Sequence, residues 1–162
     1  MARVLGCRPP KVYFDASTGR YHFIIESRTL YELLKKPIDI KKLRKYVEHC
    51  PKCMAAFLRG FFDSEGSVRD DGIITVGNGN YHLLKYVQKL LRKFGIAAKG
   101  PELVHRQGSI MFIEGRKQRR RRNVYRIYIR PRDVIKFYRW IGFTIRRKQK
   151  RLEEYLKRTG KI

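Results

Sequence analysis

Acidic residues are scarce in this chain. Of 162 residues only 14 are Asp or Glu, against 39 Lys or Arg, and the formal net charge is +25. An excess of that size has to lie on the surface, where it suits a polyanion, because neutralising phosphates releases counterions. Cysteine is scarce too: Cys7, Cys50 and Cys53 are too few for an extracellular disulfide framework. Long apolar runs are missing. No window approaches the ~20 apolar residues of a spanning helix and the first residues carry no signal-peptide core, so an intracellular, cytoplasmic protein with no membrane partner is expected. The chain is nevertheless 43% hydrophobic, enough for one packed domain of ordinary size. Nucleic acid is the first partner to consider.

Two of the cysteines fall in "HCPKC", a CxxC beside His49. A zinc site normally draws on a second such pair, and the histidines are scattered, so the run is a weak metal signal.

Residues 53 to 64 carry Met54, Phe57, Leu58, Phe61 and Phe62 at the spacing of a buried helix, with Gly66 placed to end it. "SVRDDGIITVGN" then predicts two strands around an Asp71-Gly72 turn. Asn80 is suited to cap a second helix bearing Leu83, Leu84, Val87, Leu90, Leu91 and Phe94, with Gly95 beyond it. Two further strands are predicted, Leu103 to Ile113 and Val124 to Ile129, joined by the loop "EGRKQRRRRN". In the later strand Val124, Arg126, Tyr128 and Arg130 share one face, and Tyr125, Ile127 and Ile129 the other. Pro131 opens a short helix that stops near Gly142, and Thr144 is the expected cap of a last helix running to about Lys157. The order αββαββαα defines an α+β fold, with helices on one face of an antiparallel sheet.

Residues 50–162 form the expected domain and 1–49 an N-terminal extension. Within the extension, "YHFIIESRTLYELL" from Tyr21 is similar to "YRIYIRPRDVIKFY" from Tyr125, with Ile25 matching Ile129 and Arg28 matching Arg132. Either two strand-to-helix joints look alike by chance, or residues 11 to 48 are the tail of a preceding half.

The predicted helix over 53–64 has a second feature. Ala56, Gly60 and Ser64 make a stripe of small side chains, which would let another helix backbone approach closely. Asp63 and Glu65 fall at its C-terminal end, where the helix dipole disfavours negative charge. Two such helices side by side would bring two Glu65 carboxylates together, a repulsion that a hard divalent cation resolves; the alternative is simple pairing of the acids with Arg59 or Arg69.

"LRGFFDSEG", Leu58 to Gly66, resembles the signature of the LAGLIDADG homing endonucleases, of the single-motif, homodimeric kind found in archaeal introns, and the likeness of element order extends from about Cys50 to Leu156. The resemblance implies a homing-endonuclease-like αββαββα fold whose sheet is a DNA-binding saddle. It implies that motif helices pack at an interface through Ala56, Arg59, Gly60, Asp63 and Ser64, and that Glu65, with Ser64 beside it, binds a catalytic metal, Mg²⁺ or another divalent cation. Arg59 replaces a small motif residue and is expected to point away from the tightest contact. In "RRKQKRL", Lys148 and Gln149 match the position of the family's basic residue near the metal, and Asn78 or Asn80 is placed to position water. The bland reading of Lys148 is a lysine that snorkels from the core edge.

On the sheet, Ser67, Arg69, Thr75, Arg126, Tyr128 and Arg130 are candidate base readers in a major groove. Arg116, Lys117, Arg119 and Arg120 belong to a run with six basic residues in seven, suited to gripping phosphates. The expectation is an intron-encoded enzyme that cuts double-stranded DNA as a homodimer on a long, near-palindromic site and leaves short 3′ overhangs. The rivals are an RNA-binding intron maturase of the same fold and a non-cutting basic binding module.

Overall fold

The computed structural model describes residues 11–24, 26–35, 38–113 and 115–162. The chain divides into two compact units, Met1–Leu43 and Arg44–Ile162. In the first, β1 (Lys11–Asp15) and β2 (Arg20–Ile24) pair antiparallel. The Asp15 carboxylate gathers the turn by accepting from the Ser17 amide and the Ser17 and Thr18 hydroxyls. Helix α1 (Arg28–Leu34) follows, capped by Ser27. Strand followed by helix is therefore the observed order here, as the internal likeness suggested; Ile25, one of its matching positions, lies outside the described residues. Helix α2 (Ile40–Val47) spans the division between the units.

The second unit is built on α3 (Pro51–Glu65), two residues longer at its N-terminus than the periodicity predicts. Proline at the first position and Cys50 as cap account for the extra residues, since the proline lacks an N–H that would go unused there. Met54, Ala55, Leu58 and Phe62 are its buried face. β3 (Gly66–Val68) starts at the next residue. Gly66 has φ −91°, so no left-handed cap is needed; glycine is required because a Cβ would lie 2.6 Å from the Phe62 carbonyl oxygen. At the following turn Gly72 has φ +79°, and a Cβ there would strike the Tyr155 ring at 2.1 Å. β4 (Ile74–Asn78) leads to α4 (Tyr81–Lys93), whose first turn is capped as expected by Asn80, Oδ1 accepting from the Leu83 amide at 3.0 Å.

The expected strand from Leu103 to Ile113 is instead two. β5 (Ala98–His105) begins five residues earlier, and Gly108 at φ +82° turns the chain before β6 (Ile110–Ile113). β6 pairs with β7 (Arg116–Arg119), so part of the expected basic loop is a two-stranded ribbon. The early start of β5 is hidden in the sequence by Gly100-Pro101, which interrupts the alternation. In the structure Gly100 sits at a register shift, and the buried Gln88 amide donates to the Ala98 and Gly100 carbonyls. β8 (Val124–Ile129), a 3₁₀ turn at Pro131–Asp133, α5 (Val134–Trp140) and α6 (Arg146–Arg158) complete the chain.

The main sheet has the order β3-β4-β8-β5 and is antiparallel throughout. Cross-strand partners Val68, Ile74 and Ile129, and Val76 with Ile127, form its covered face, each 3% exposed or less. Leu58 and Phe62 of α3, Leu84, Val87, Leu90 and Leu91 of α4, Phe137 of α5, and Leu152 and Leu156 of α6 complete the core. Phe62 meets Phe137 edge-on at 4.9 Å between ring centres. The α+β order and the helices on one face of an antiparallel sheet agree with the sequence reading.

Candidate active site and nucleic-acid face

The last turn of α3 has carbonyl groups with no partner inside the helix and a partial negative charge. Lys148, projecting from the first turn of α6, fills that need at Asp63, its Nζ donating to the Asp63 oxygen at 2.5 Å and, at 3.2 Å, to the Phe62 oxygen that also takes the Gly66 amide. The first amides at the start of α6 have the opposite need. The Asp63 carboxylate meets it, accepting from the Thr144 amide at 3.0 Å and the Ile145 amide at 3.2 Å. The expected cap at Thr144 is thus corrected: the helix cap position is Ile145, its side chain bonds nothing, and the acceptor arrives from α3, 81 residues away in sequence. Asp63 is thereby occupied within its own chain.

With Asp63 committed, Glu65 is left exposed at the helix end. It lines a cleft of about 380 Å³ together with Ser64, Gly66, Ser67, Arg147, Lys148 and Arg151. Lys148 is 9% exposed, and burial holds its ammonium below the usual lysine range; Arg147 pushes the same way, while Asp63 and Glu65 oppose. An ammonium has three donors, and two are used on carbonyls, so one remains for the cleft. Arg151, which donates to the Val68 carbonyl, also lines an adjoining depression with Ser67, Arg69 and Asp71.

The remaining candidates fall elsewhere. Gln149 lies outside the lining of this cleft; its Oε1 accepts from the Phe143 amide at 2.9 Å and its Nε2 donates to Glu153, which fixes the turn between α5 and α6. Asn78 accepts from the Asn80 amide at 2.8 Å, and Asn80 caps α4, so both are engaged in the strand-to-helix turn. Arg147 and Arg151 were missed, although their spacing around Lys148 on a helix was a readable signal.

On the stripe of small residues, Ala56, Gly60 and Ser64 are exposed, and a Cβ built on Gly60 meets nothing within 4 Å. Arg59 is turned from it, its Nε donating to the Ile141 carbonyl. Ser64 donates its hydroxyl to the Phe61 carbonyl.

The uncovered sheet face follows from register. Ser67, Thr75, Tyr128 and Lys99 form one cross-strand row, and Arg126 pairs with Gly77 and Glu102 in the next. Ser67 and Thr75 hydroxyls bond at 2.9 Å, and Thr75 is buried, against its expected place among the exposed base readers, because its hydroxyl is taken up by its cross-strand neighbour. Arg130 is exposed beyond the strand end, and Arg69 pairs with Asp71 in the β3–β4 turn. Lys99 was missed because its strand was predicted to begin later. Arg116, Lys117 and Arg119 are exposed on β7, and Arg120 continues the ribbon through backbone bonds to Gly108 and Ser109.

The donors at the helix end are oxygens, the kind a hard divalent cation takes, and such an ion is commonly held by one or two carboxylates plus substrate phosphates. Glu65 and the surrounding cations fit that use. Among the described residues, the three-residue group of potential metal ligands is a different one, His49, Cys50 and Cys53.

Residues 52–142 match the model of the LAGLIDADG-like domain, and the chain belongs to the LAGLIDADG family. It is 29% identical over 160 residues to an uncharacterized protein of Methanocaldococcus jannaschii, covering 97% of this chain and 56% of that one. A glutamine–fructose-6-phosphate aminotransferase of the same organism is 30% identical over 105 residues, 64% of this chain and 9% of that protein. A probable translation initiation factor IF-2 of Thermococcus kodakarensis is 29% identical over 109 residues, 67% of this chain and 8% of that protein. The chain thus spans about half the length of the first relative and under a tenth of the others. Among solved structures, it superposes on the homing endonuclease I-DmoI in complex with DNA and Ca with a TM-score of 0.59 at 21% identity, over 94% of this chain and 71% of that one. For I-DmoI in complex with DNA and Mn the TM-score is 0.54 at 22% identity, over 86% and 67%. These likenesses establish the fold. No helix among the described residues is long and apolar enough to cross a membrane.

Proposed function

We propose that this protein is a site-specific, intron-encoded endonuclease that cuts double-stranded DNA by metal-assisted hydrolysis of a phosphodiester in each strand. The observation that carries the reading is the cleft at the end of α3, where one exposed carboxylate, Glu65, faces Arg147, Lys148 and Arg151. That combination suits a phosphate next to a hard cation. When bound, Mg²⁺ or a similar ion would supply water activation and charge neutralisation, held through Glu65. The free donor of Lys148 stabilises charge on the phosphate or holds the attacking water, and Arg147 and Arg151 attract the backbone.

The described residues carry one such carboxylate at a motif-helix end, and the reading pairs two copies to cut two strands. The exposed stripe Ala56, Gly60 and Ser64 supports a homodimer in which the α3 helices of two copies pack and their Glu65 ends converge. A symmetric dimer reads a long, near-palindromic site, with Ser67, Arg126 and Tyr128 toward the bases. The family likeness supports staggered cuts with short 3′ overhangs.

A second reading rests on the β6–β7 ribbon, where Phe112 is 72% exposed opposite Lys117. An aromatic ring among cations suits stacking on an unpaired base, as an RNA-binding maturase would use. Cleavage of a plasmid carrying the intron-free insertion site, with Mg²⁺ or EDTA, separates the two. The endonuclease reading expects metal-dependent linearisation by the wild type and binding without cutting by Glu65→Gln. Tight RNA binding by both proteins, with no cleavage of a verified site, would replace it with the maturase.

A further inference from the structure

We propose that His49, Cys50 and Cys53 form a binding site for zinc or a similar thiophilic ion at the N-terminal end of α3. The site is structural, separate from the carboxylate at the helix's other end, and independent of the nuclease reading.

The first support is geometric. One ligand atom from each residue lies within 4.8 Å of the others, with Cys50 Sγ 3.2 Å from Cys53 Sγ and Cys53 Sγ 3.9 Å from His49 Nδ1. Zinc–sulfur and zinc–nitrogen bonds of about 2.3 and 2.0 Å imply tetrahedral edges of roughly 3.8 Å between sulfurs and 3.5 Å between sulfur and nitrogen. The observed separations bracket those edges, so small side-chain rotations bring the three atoms onto one ion.

The second support is the local backbone. Cys50 is the helix cap, its Sγ accepting from the Cys53 amide at 3.3 Å, and α3 has no acidic residue in its first turn. Thiolates at that position offset the positive end of the helix. Two thiolates and a neutral imidazole neutralise a dication, releasing the thiol protons on binding. Sulfur donors select zinc over the hard ions that suit Glu65. His49 is exposed and both cysteines are half-buried, so solvent can supply a fourth ligand.

The CxxC was a weak signal in the sequence because a second CxxC was missing. The fold replaces that pair with the neighbouring histidine and an open position. An ion there ties the turn after Val47 to the start of the helix that ends in Glu65.

The test uses the full chain, reduced and stripped of metal, titrated with Co²⁺ and then Zn²⁺. One equivalent of cobalt is expected, with a thiolate-to-cobalt charge-transfer band that zinc abolishes. Cys50→Ser and Cys53→Ser are expected to weaken zinc affinity by at least about 100-fold and His49→Ala by at least about 10-fold, while Glu65→Gln leaves it unchanged. Because variants can misfold, alkylation of Cys50 and Cys53 in the wild type is followed by mass spectrometry, and zinc should slow both. The proposal is overturned by the absence of a stoichiometric cobalt complex, by a band that survives both serine substitutions, by binding lost in Glu65→Gln, or by alkylation that zinc does not slow.

Discussion

Lys148 donates its ammonium to the backbone oxygen of Asp63 at 2.5 Å, while the carboxylate of that same Asp63 accepts the backbone amides of Thr144 and Ile145 that open Lys148's helix. Each helix end thus supplies the charge the other lacks, and the exchange fixes the cleft in which Glu65 stands. Asp63 is engaged within the fold, and Glu65 stays exposed at the helix end.

Removing the carboxylate should therefore loosen α6. Asp63→Ala is expected to cost about 1–2 kcal/mol, the range for a lost helix cap, and Asp63→Asn less because an amide oxygen still accepts. Chemical denaturation of the three proteins measures the difference.

Lys148 has a structural role, the proposed nuclease gives it a second, and substitution should separate them. Lys148→Met leaves the Asp63 carbonyl unpaired, while the Phe62 carbonyl keeps the Gly66 amide, at about 1–3 kcal/mol, and is expected to lower the cleavage rate by about 100-fold or more. Single-turnover cleavage at a temperature where denaturation shows the variant folded checks the second effect.

Gly60 faces open space in one chain, so a large side chain there should leave the monomer intact and block association. Gly60→Leu is expected to keep or raise monomer stability, by up to about 1 kcal/mol from helix propensity, and to shift sedimentation from dimer to monomer. A variant that still dimerises would place the interface elsewhere.

The ribbon should add affinity without reading sequence. Replacing Arg116, Lys117 and Arg119 by alanine is expected to reduce the slope of log affinity against log salt by about 2–3, with the cleaved sequence unchanged. Binding isotherms over a series of salt concentrations decide it.

Glu48 provides a pH signature. Hydrogen bonds from Lys93 at 2.8 Å and Arg44 at 2.7 Å hold its carboxyl at about 2, against an ordinary value of 4.5. A carboxyl depressed on folding stabilises above its unfolded value and loses that contribution as pH falls from about 4.5 toward 2. Both partners are substantially exposed, so the screened effect is about 1 kcal/mol. Glu48→Gln should flatten stability over that interval in a series of denaturation curves.

The legible parts of this protein were those written in local pattern. The apolar spacing from Met54 to Phe62, the Asn80 cap and the alternation from Val124 to Ile129 each depend on neighbours within a few residues, and each element formed. The β5 strand was misjudged because Gly100-Pro101 breaks the alternation and its repair by Gln88 comes from another element. The ribbon was hidden by its charge, since pairing of β6 with β7 satisfies the backbone whatever the side chains are.

The sequence by itself determined the α+β order, the position of the motif helix and the excess of positive charge, because periodicity and composition are properties of the chain alone. Only tertiary structure decided the fate of the polar residues. It turned Asp63 and Gln149 to structural bonds and set Lys148, Arg147 and Arg151 around Glu65. Those outcomes depend on which buried carbonyl or amide lacks a partner, and that is settled only when distant helix ends meet.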